Sequence, residues 1–125
     1  PAGVVTTSDE EMDRVVKFYE SLPPAANLSY ERNSIYLRFT HIGFRKGTCL
    51  VEAADRWGIG PELILAVGDN FNDLSMLQPE VSEACGCPSN AVPAVKDFVR
   101  GRGGKVASKP GSLGVMEVMG HYFNQ

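Results

Sequence analysis

Cysteine is scarce in this chain: only Cys49, Cys85 and Cys87 occur. An odd count at that density excludes a disulfide scaffold and suits a reducing compartment, so a cytoplasmic location is expected. The two histidines, His41 and His121, are isolated. Cys85-Gly86-Cys87 therefore lacks the second Cys or His pair that zinc spacing requires, and plain buried thiols are expected. No apolar run approaches the roughly 18 residues of a membrane span, so no membrane is expected as a partner. No charged-then-apolar signal segment opens the chain. A strong charge of one sign is also absent. The formal net charge of -3, from 12 basic and 15 acidic residues, argues against a general nucleic-acid binder. No internal repeat and no low-complexity tract is visible.

What remains is ordinary globular material: 125 residues, 43% hydrophobic and 22% charged, enough for one modest domain with a core. Gly3 to Thr6 is a short β-type run. Ser8 then reads as a helix N-cap with Glu11 as its capping-box partner, followed by Met12, Val15, Val16 and Tyr19 at helical spacing. Pro23-Pro24 ends that helix. Asn27 to Glu31 and Ile35 to Thr40 read as an antiparallel pair joined through Arg32-Asn33-Ser34.

The pattern then changes. Gly47 to Trp57 is helical, with Leu50, Ala53, Ala54 and Trp57 on one stripe and Gly58 just past the end. Leu63 to Val67 is a continuous apolar run, as expected of a strand buried on both faces of a parallel sheet. Leu74 to Leu77 begins a short helix that Pro79 limits. A strand within Val81 to Cys87, a helix over Pro93 to Val99, a strand over Lys105 to Ala107 and a helix over Leu113 to Phe123 complete the order. The first part reads β-α-β-β and the rest α-β-α-β-α-β-α. The fold class is therefore α/β, with a parallel sheet and covering helices.

The chemistry concentrates in "GDNFNDLSML", Gly68 to Leu77. Ligands of open α/β sheets bind beyond the carboxyl ends of the strands. Asp69 stands at such an end, where a lone carboxylate suits a hard cation such as Mg²⁺. Asn72 and Asp73 fall at the start of the next element, whose exposed N–H groups favour an anion. Each of these residues alone also fits a turn or helix-cap role.

The motif resembles the fourth motif of the haloacid dehalogenase superfamily, in its Cof-type or sugar-phosphatase branch. "RKGTCL", Arg45 to Leu50, resembles that branch's third motif. "PSNAVPAVKDFV" and "GGKVASKPGSLGVMEVM" resemble its later segments. The resemblance implies that residues 1–42 are the C-terminal part of an α/β cap and 43–125 the C-terminal half of a Rossmannoid core. It implies a Mg²⁺-dependent phosphatase acting through an aspartyl-phosphate on a sugar or other small organic phosphate. Asp69 would be a metal ligand. Lys46 would contact phosphate and nucleophile, Asn72 would position the phosphoryl group, and Asp73 would support the metal's waters or hold Lys46. Asn90 is a weaker match that could equally cap the helix starting near Ala91.

The family's nucleophile comes from an Asp-x-Asp-x-Thr/Ser motif, and no Asp-x-Asp occurs in the sequence. The chain by itself is thus expected to be inactive and to hold Mg²⁺ weakly or not at all. The strand Leu63 to Val67 is expected to have an unpaired edge, favouring self-association or pairing with an N-terminal half. Two other functions compete: a non-catalytic binding or interaction module built on this fold, and a nucleic-acid contact through Arg100, Arg102, Lys105 and Lys109. Those four lack stacking aromatics and read better as a solvated loop.

Overall fold

The computed structural model describes residues 2–123; Pro1, Asn124 and Gln125, at the ends of the predicted spans, lie outside the described residues. The chain divides into two compact units, Pro1–Arg45 and Lys46–Gln125.

The first unit contains β1 (Gly3–Val5), α1 (Asp9–Glu20), β2 (Leu28–Asn33) and β3 (Tyr36–His41). Its sheet has the order β1-β3-β2 and is antiparallel throughout. Ser8 caps α1, its hydroxyl accepting from the Glu11 N–H at 3.2 Å. The expected reciprocal bond is displaced by one residue. Glu11 reaches back to the N–H and hydroxyl of Thr7, both at 2.9 Å, because Thr7 offers two donors. The hairpin also differs from expectation. Arg32 and Asn33 stay in β2, opposite Leu37 and Tyr36, and only Ser34-Ile35 turn. Ser34 adopts φ +51, in line with the positive φ that two-residue hairpins favour.

Residues opposite one another in an antiparallel pair point to the same face. Arg32 and Leu37 therefore share a face, and α1 covers it with Met12, which is fully buried. Tyr19 of α1 packs its ring on Tyr30 and Phe39 of the same face, with centroids 5.4 and 5.2 Å away. Arg32 ties helix to sheet. Its guanidinium donates to Asp13, to the Asp9 carboxylate at 3.3 Å and carbonyl at 3.2 Å, and to the Ser34 carbonyl at 3.0 Å.

The second unit runs α2 (Lys46–Trp57), β4 (Leu65–Val67), β5 (Ala84–Cys87), α3 (Pro93–Gly101), β6 (Lys105–Val106) and α4 (Gly111–Phe123). Single 3-10 turns at Pro61–Leu63 and Phe71–Asp73 flank β4. The strands form a parallel sheet ordered β4-β5-β6. Ala66, Leu77, Cys85, Cys87, Ala91, Val95 and Val99 make its core. Burial pushes the Cys85 and Cys87 thiols up, so they stay protonated, whereas Cys49 is exposed. Helix α2 ends in a full Schellman motif. Gly58, at φ +65, donates to the Asp55 carbonyl and Ile59 to that of Ala54.

Three expectations need correction here. The run from Leu63 is not all strand. Pro61 opens a 3-10 turn in which Leu63 donates to Gly60 and Ile64 to Pro61, so Leu63 is 74% exposed and β4 starts at Leu65. No helix forms over Leu74 to Leu77. The Asp73 carbonyl accepts from both Met76 and Leu77, and the chain continues in turns. Finally, the α2 stripe is only partly covered: Ala54 is buried and Leu50 half-buried, but Ala53 is exposed and Trp57 is 79% exposed. Among the described residues no helix is long and apolar enough to cross a membrane.

Candidate active site

Strand β4 delivers the chain to Gly68, whose N–H donates to the Gly86 carbonyl at 3.2 Å and so extends the sheet contact by one residue. The backbone then folds over itself. A Cβ at Gly68 would run into the Cβ of Asp73 and come within 2.9 Å of its Cγ. Glycine is thus needed for Asp73 to lie back against the end of the strand. Asn70 caps the following turn, accepting from the Phe71 N–H at 2.9 Å.

Asp73 is the buried centre of this loop, its side chain only 5% exposed. One carboxylate oxygen, Oδ2, accepts from the N–H groups of Asp69 and Asn70 at 2.8 and 3.1 Å. The other, Oδ1, accepts from Lys46 Nζ at the start of α2. Burial opposes ionisation of Asp73. Lys46 and the two N–H groups outweigh it and hold the pKa below the ordinary carboxylate value. The sequence pointed to an anion on the N–H groups of this junction. The anion they hold is Asp73's own carboxylate, and the element beyond is a single 3-10 turn rather than a helix.

Lys46 and Asp73 are therefore brought together by the fold. The Lys46 side chain is 46% exposed, and among the described residues its ammonium donates to Asp73 alone. Asp69 is placed differently. Its N–H serves Asp73 and its carbonyl accepts from the Val92 N–H at 2.9 Å, just before α3. Its exposed carboxylate has no hydrogen-bond partner among the described residues. Asn72 is half-buried, and its Oδ1 is a buried acceptor without a partner.

The start of α2 is docked on the same loop. The Gly47 N–H donates to Ser75 Oγ at 3.1 Å, and a Cβ on Gly47 would come within 2.7 Å of the Ser75 carbonyl carbon. Nothing local in the sequence announces this contact between residues 28 apart. Arg102 is a second such case. Its guanidinium donates to the carbonyls of Leu77, Ser82 (2.8 Å) and Glu83 (3.1 Å), stapling the turns that follow Asp73. The expectation of a solvated basic segment fails for Arg102 and for Lys105, which pairs with Glu117 at 3.0 Å, whereas Lys109 is exposed and Arg100 makes only an exposed pair with Asp97. Asn90 caps α4 rather than α3, accepting from the Gly111 N–H at 2.7 Å.

The donor set decides which groups suit a hard cation. Asp73 has both oxygens engaged, one by an ammonium, so it does not fit as a direct ligand. Asp69 does fit: Mg²⁺ takes one or two carboxylates and completes its shell with water and substrate oxygens. Among the described residues no group of three His, Cys, Asp or Glu gathers to enclose a metal.

Comparison with known proteins agrees with this architecture. No curated protein sequence matches the chain. Similar solved structures include a haloacid dehalogenase-like hydrolase from B. subtilis, 24% identical with a TM-score of 0.75 over 95% of this chain and 39% of that one. The subclass IIB sugar phosphatase BT4131 is 22% identical, with a TM-score of 0.68 over 92% of this chain and 40% of that one. The phosphatase BT1666 from Bacteroides thetaiotaomicron is 22% identical, with a TM-score of 0.67 over 92% and 39%. The chain thus spans about two fifths of the length of these structures. The family model described as haloacid dehalogenase-like hydrolase matches residues 3–101, most of the sequence, and the chain belongs to that family.

Proposed function

We propose that this chain supplies the cation- and phosphate-facing part of a phosphatase site that hydrolyses a small phosphate monoester, a sugar phosphate being the first class to test. The observation that carries this reading is the Lys46–Asp73 pair with the uncommitted Asp69 carboxylate four residues before Asp73. Asp73 orients Lys46 by accepting from its ammonium. The remaining ammonium donors of Lys46 are left for a phosphoryl oxygen, where a positioned cation offsets developing negative charge. Asn72 has an amide N–H₂ for the same group. Asp69 would hold Mg²⁺, which supplies charge neutralisation at the phosphate. Asp73 acts through Lys46 and the loop, as a positioning residue.

In this reading residues 1–42 correspond to the end of a cap and residues 43–125 to the second half of a core, a division close to that between the two compact units. The nucleophile must come from elsewhere, because the sequence holds no Asp-x-Asp. Isolated, the chain is inactive. Among the described residues β4 pairs only with β5, so one edge of the sheet is open to a strand from an N-terminal half or a second copy. A chain of this length that sediments as a monomer at every concentration would remove self-association.

The decisive test joins this chain to an N-terminal half carrying Asp-x-Asp-x-Thr and assays phosphate release with Mg²⁺. Turnover of sugar phosphates, absent without either half, supports the reading. A folded, reassembled pair that releases no phosphate from any monoester overturns it.

A further inference from the structure

Lys46 is the first residue of α2, and a long side chain at a helix start is free to swing unless the helix end is held. Helix starts leave four N–H groups without partners, and one of these belongs to Gly47. Here a hydroxyl from the catalytic loop itself satisfies it: Ser75 Oγ accepts from the Gly47 N–H at 3.1 Å. The fit is close. A Cβ at Gly47 would meet the Ser75 backbone and lie 3.2 Å from its Cβ, so only glycine lets α2 approach this near. Ser75 lies two residues beyond Asp73, and Lys46 one residue before Gly47. Two contacts thus join the same short segments, one ionic and one a hydrogen bond between helix and loop.

We infer that Ser75 is a positioning residue for Lys46: by holding the Gly47 N–H it fixes the start of α2 so that the ammonium meets Asp73. The inference rests on the proposed site for its functional meaning, but its geometry stands without it. Ser75 touches no reacting atom. Its hydroxyl sets where the α2 backbone begins, and that backbone sets how far Lys46 must reach.

The test is a double-mutant cycle of Lys46→Met and Asp73→Asn in the full chain, read from the folding equilibrium in urea and repeated in altered Ser75 backgrounds. For wild-type Ser75 the pair is expected to couple by about fivefold in the equilibrium constant, within the range seen for contacting residues. Ser75→Ala should bring that factor close to one. Ser75→Thr, which keeps the hydroxyl, should restore it. Val99→Ala, a destabilising change in the core of the same unit, should leave it unchanged. Ser75→Cys, a weak acceptor of similar size, takes the place of Ser75→Ala if the alanine variant does not fold. Coupling that survives Ser75→Ala or Ser75→Cys undiminished overturns the inference. So does coupling lost equally in Val99→Ala, which would show a general loosening. The readout is stability, so the outcome stands whether or not phosphate release is ever detected.

Discussion

Among the described residues each unit has one buried charged residue, and the two are satisfied in opposite ways. In the first, Arg32 is 9% exposed at its side chain and is bonded on all sides by Asp9, Asp13 and Ser34. Its carboxylate partners are well exposed, at 64% and 66%. In the second, Asp73 is the buried partner and Lys46 the exposed one. The first arrangement engages all three nitrogens of a buried cation and fastens a helix to a sheet. The second buries the anion and turns a half-exposed ammonium outward with donors to spare. The first charge serves the architecture; the second, with donors to spare, is what the proposed phosphoryl contact needs.

That contrast can be broken in order of expected effect. In the protein assembled with an N-terminal half, Lys46→Ala should lower phosphate release by about 10²–10³-fold, the usual cost of losing one transition-state charge partner. Its urea midpoint should fall modestly, reflecting at least the coupling of about fivefold to Asp73, because the buried carboxylate loses its charge partner. Asp69→Ala should abolish release with little effect on folding, since its carboxylate is exposed; turnover near wild type in either variant removes that residue from the site.

Next in size is Asp73→Ala, expected to cost about 3 kcal/mol, since it strands the Asp69 and Asn70 N–H groups as well as Lys46. Arg32→Met should cost less, about 2 kcal/mol, because the Asp9 and Asp13 carboxylates left behind remain hydrated. Urea denaturation of both variants gives the order directly. A larger loss at Arg32 than at Asp73 would contradict the distinction drawn between them.

The smallest effect is one of pH. Glu117 is held at a pKa of about 2 by the Ser108 hydroxyl, Lys105 and the Ser108 N–H. A depressed carboxylate stabilises the fold above its unfolded pKa, ordinarily 4.5, and loses that contribution as pH falls through the folded value. Thermal melts of wild type and Glu117→Gln should therefore differ most above pH 4.5 and converge as pH approaches 2. A constant gap across that window would mean the carboxylate's charge is not what matters.

Much of the order of elements was readable. Ser8 before α1 and Gly58 after α2 carry local signals, and local signals set helix ends. Lys46, Asp69, Asn72 and Asp73 stood out because motif and spacing agree. Other features escaped because a neighbouring turn or a distant bond overrides composition. Leu63 is as apolar as Leu65, yet the 3-10 turn begun by Pro61 turns it out. Leu74 to Leu77 has helical composition, yet it continues in turns stapled by Arg102. Asn90 sits three residues before the first residue of α3, yet it serves α4. In each case the deciding partner lies outside the stretch in which periodicity can be seen.

Helix α2 is held to the rest of its unit at both ends. At its start the Gly47 N–H is taken by Ser75, and just past its finish the Pro61 carbonyl accepts from the Glu83 N–H at 2.8 Å. Its twelve residues therefore work as a spacer of fixed phase. One residue more or fewer between these anchors would rotate one end against the other by about 100°. With the Pro61 anchor in place, that rotation would swing Lys46 away from Asp73. The length of this helix is thus as much a determinant of the site as the identity of its lysine. Insertions in α2 should be harder to tolerate than most substitutions on its exposed face.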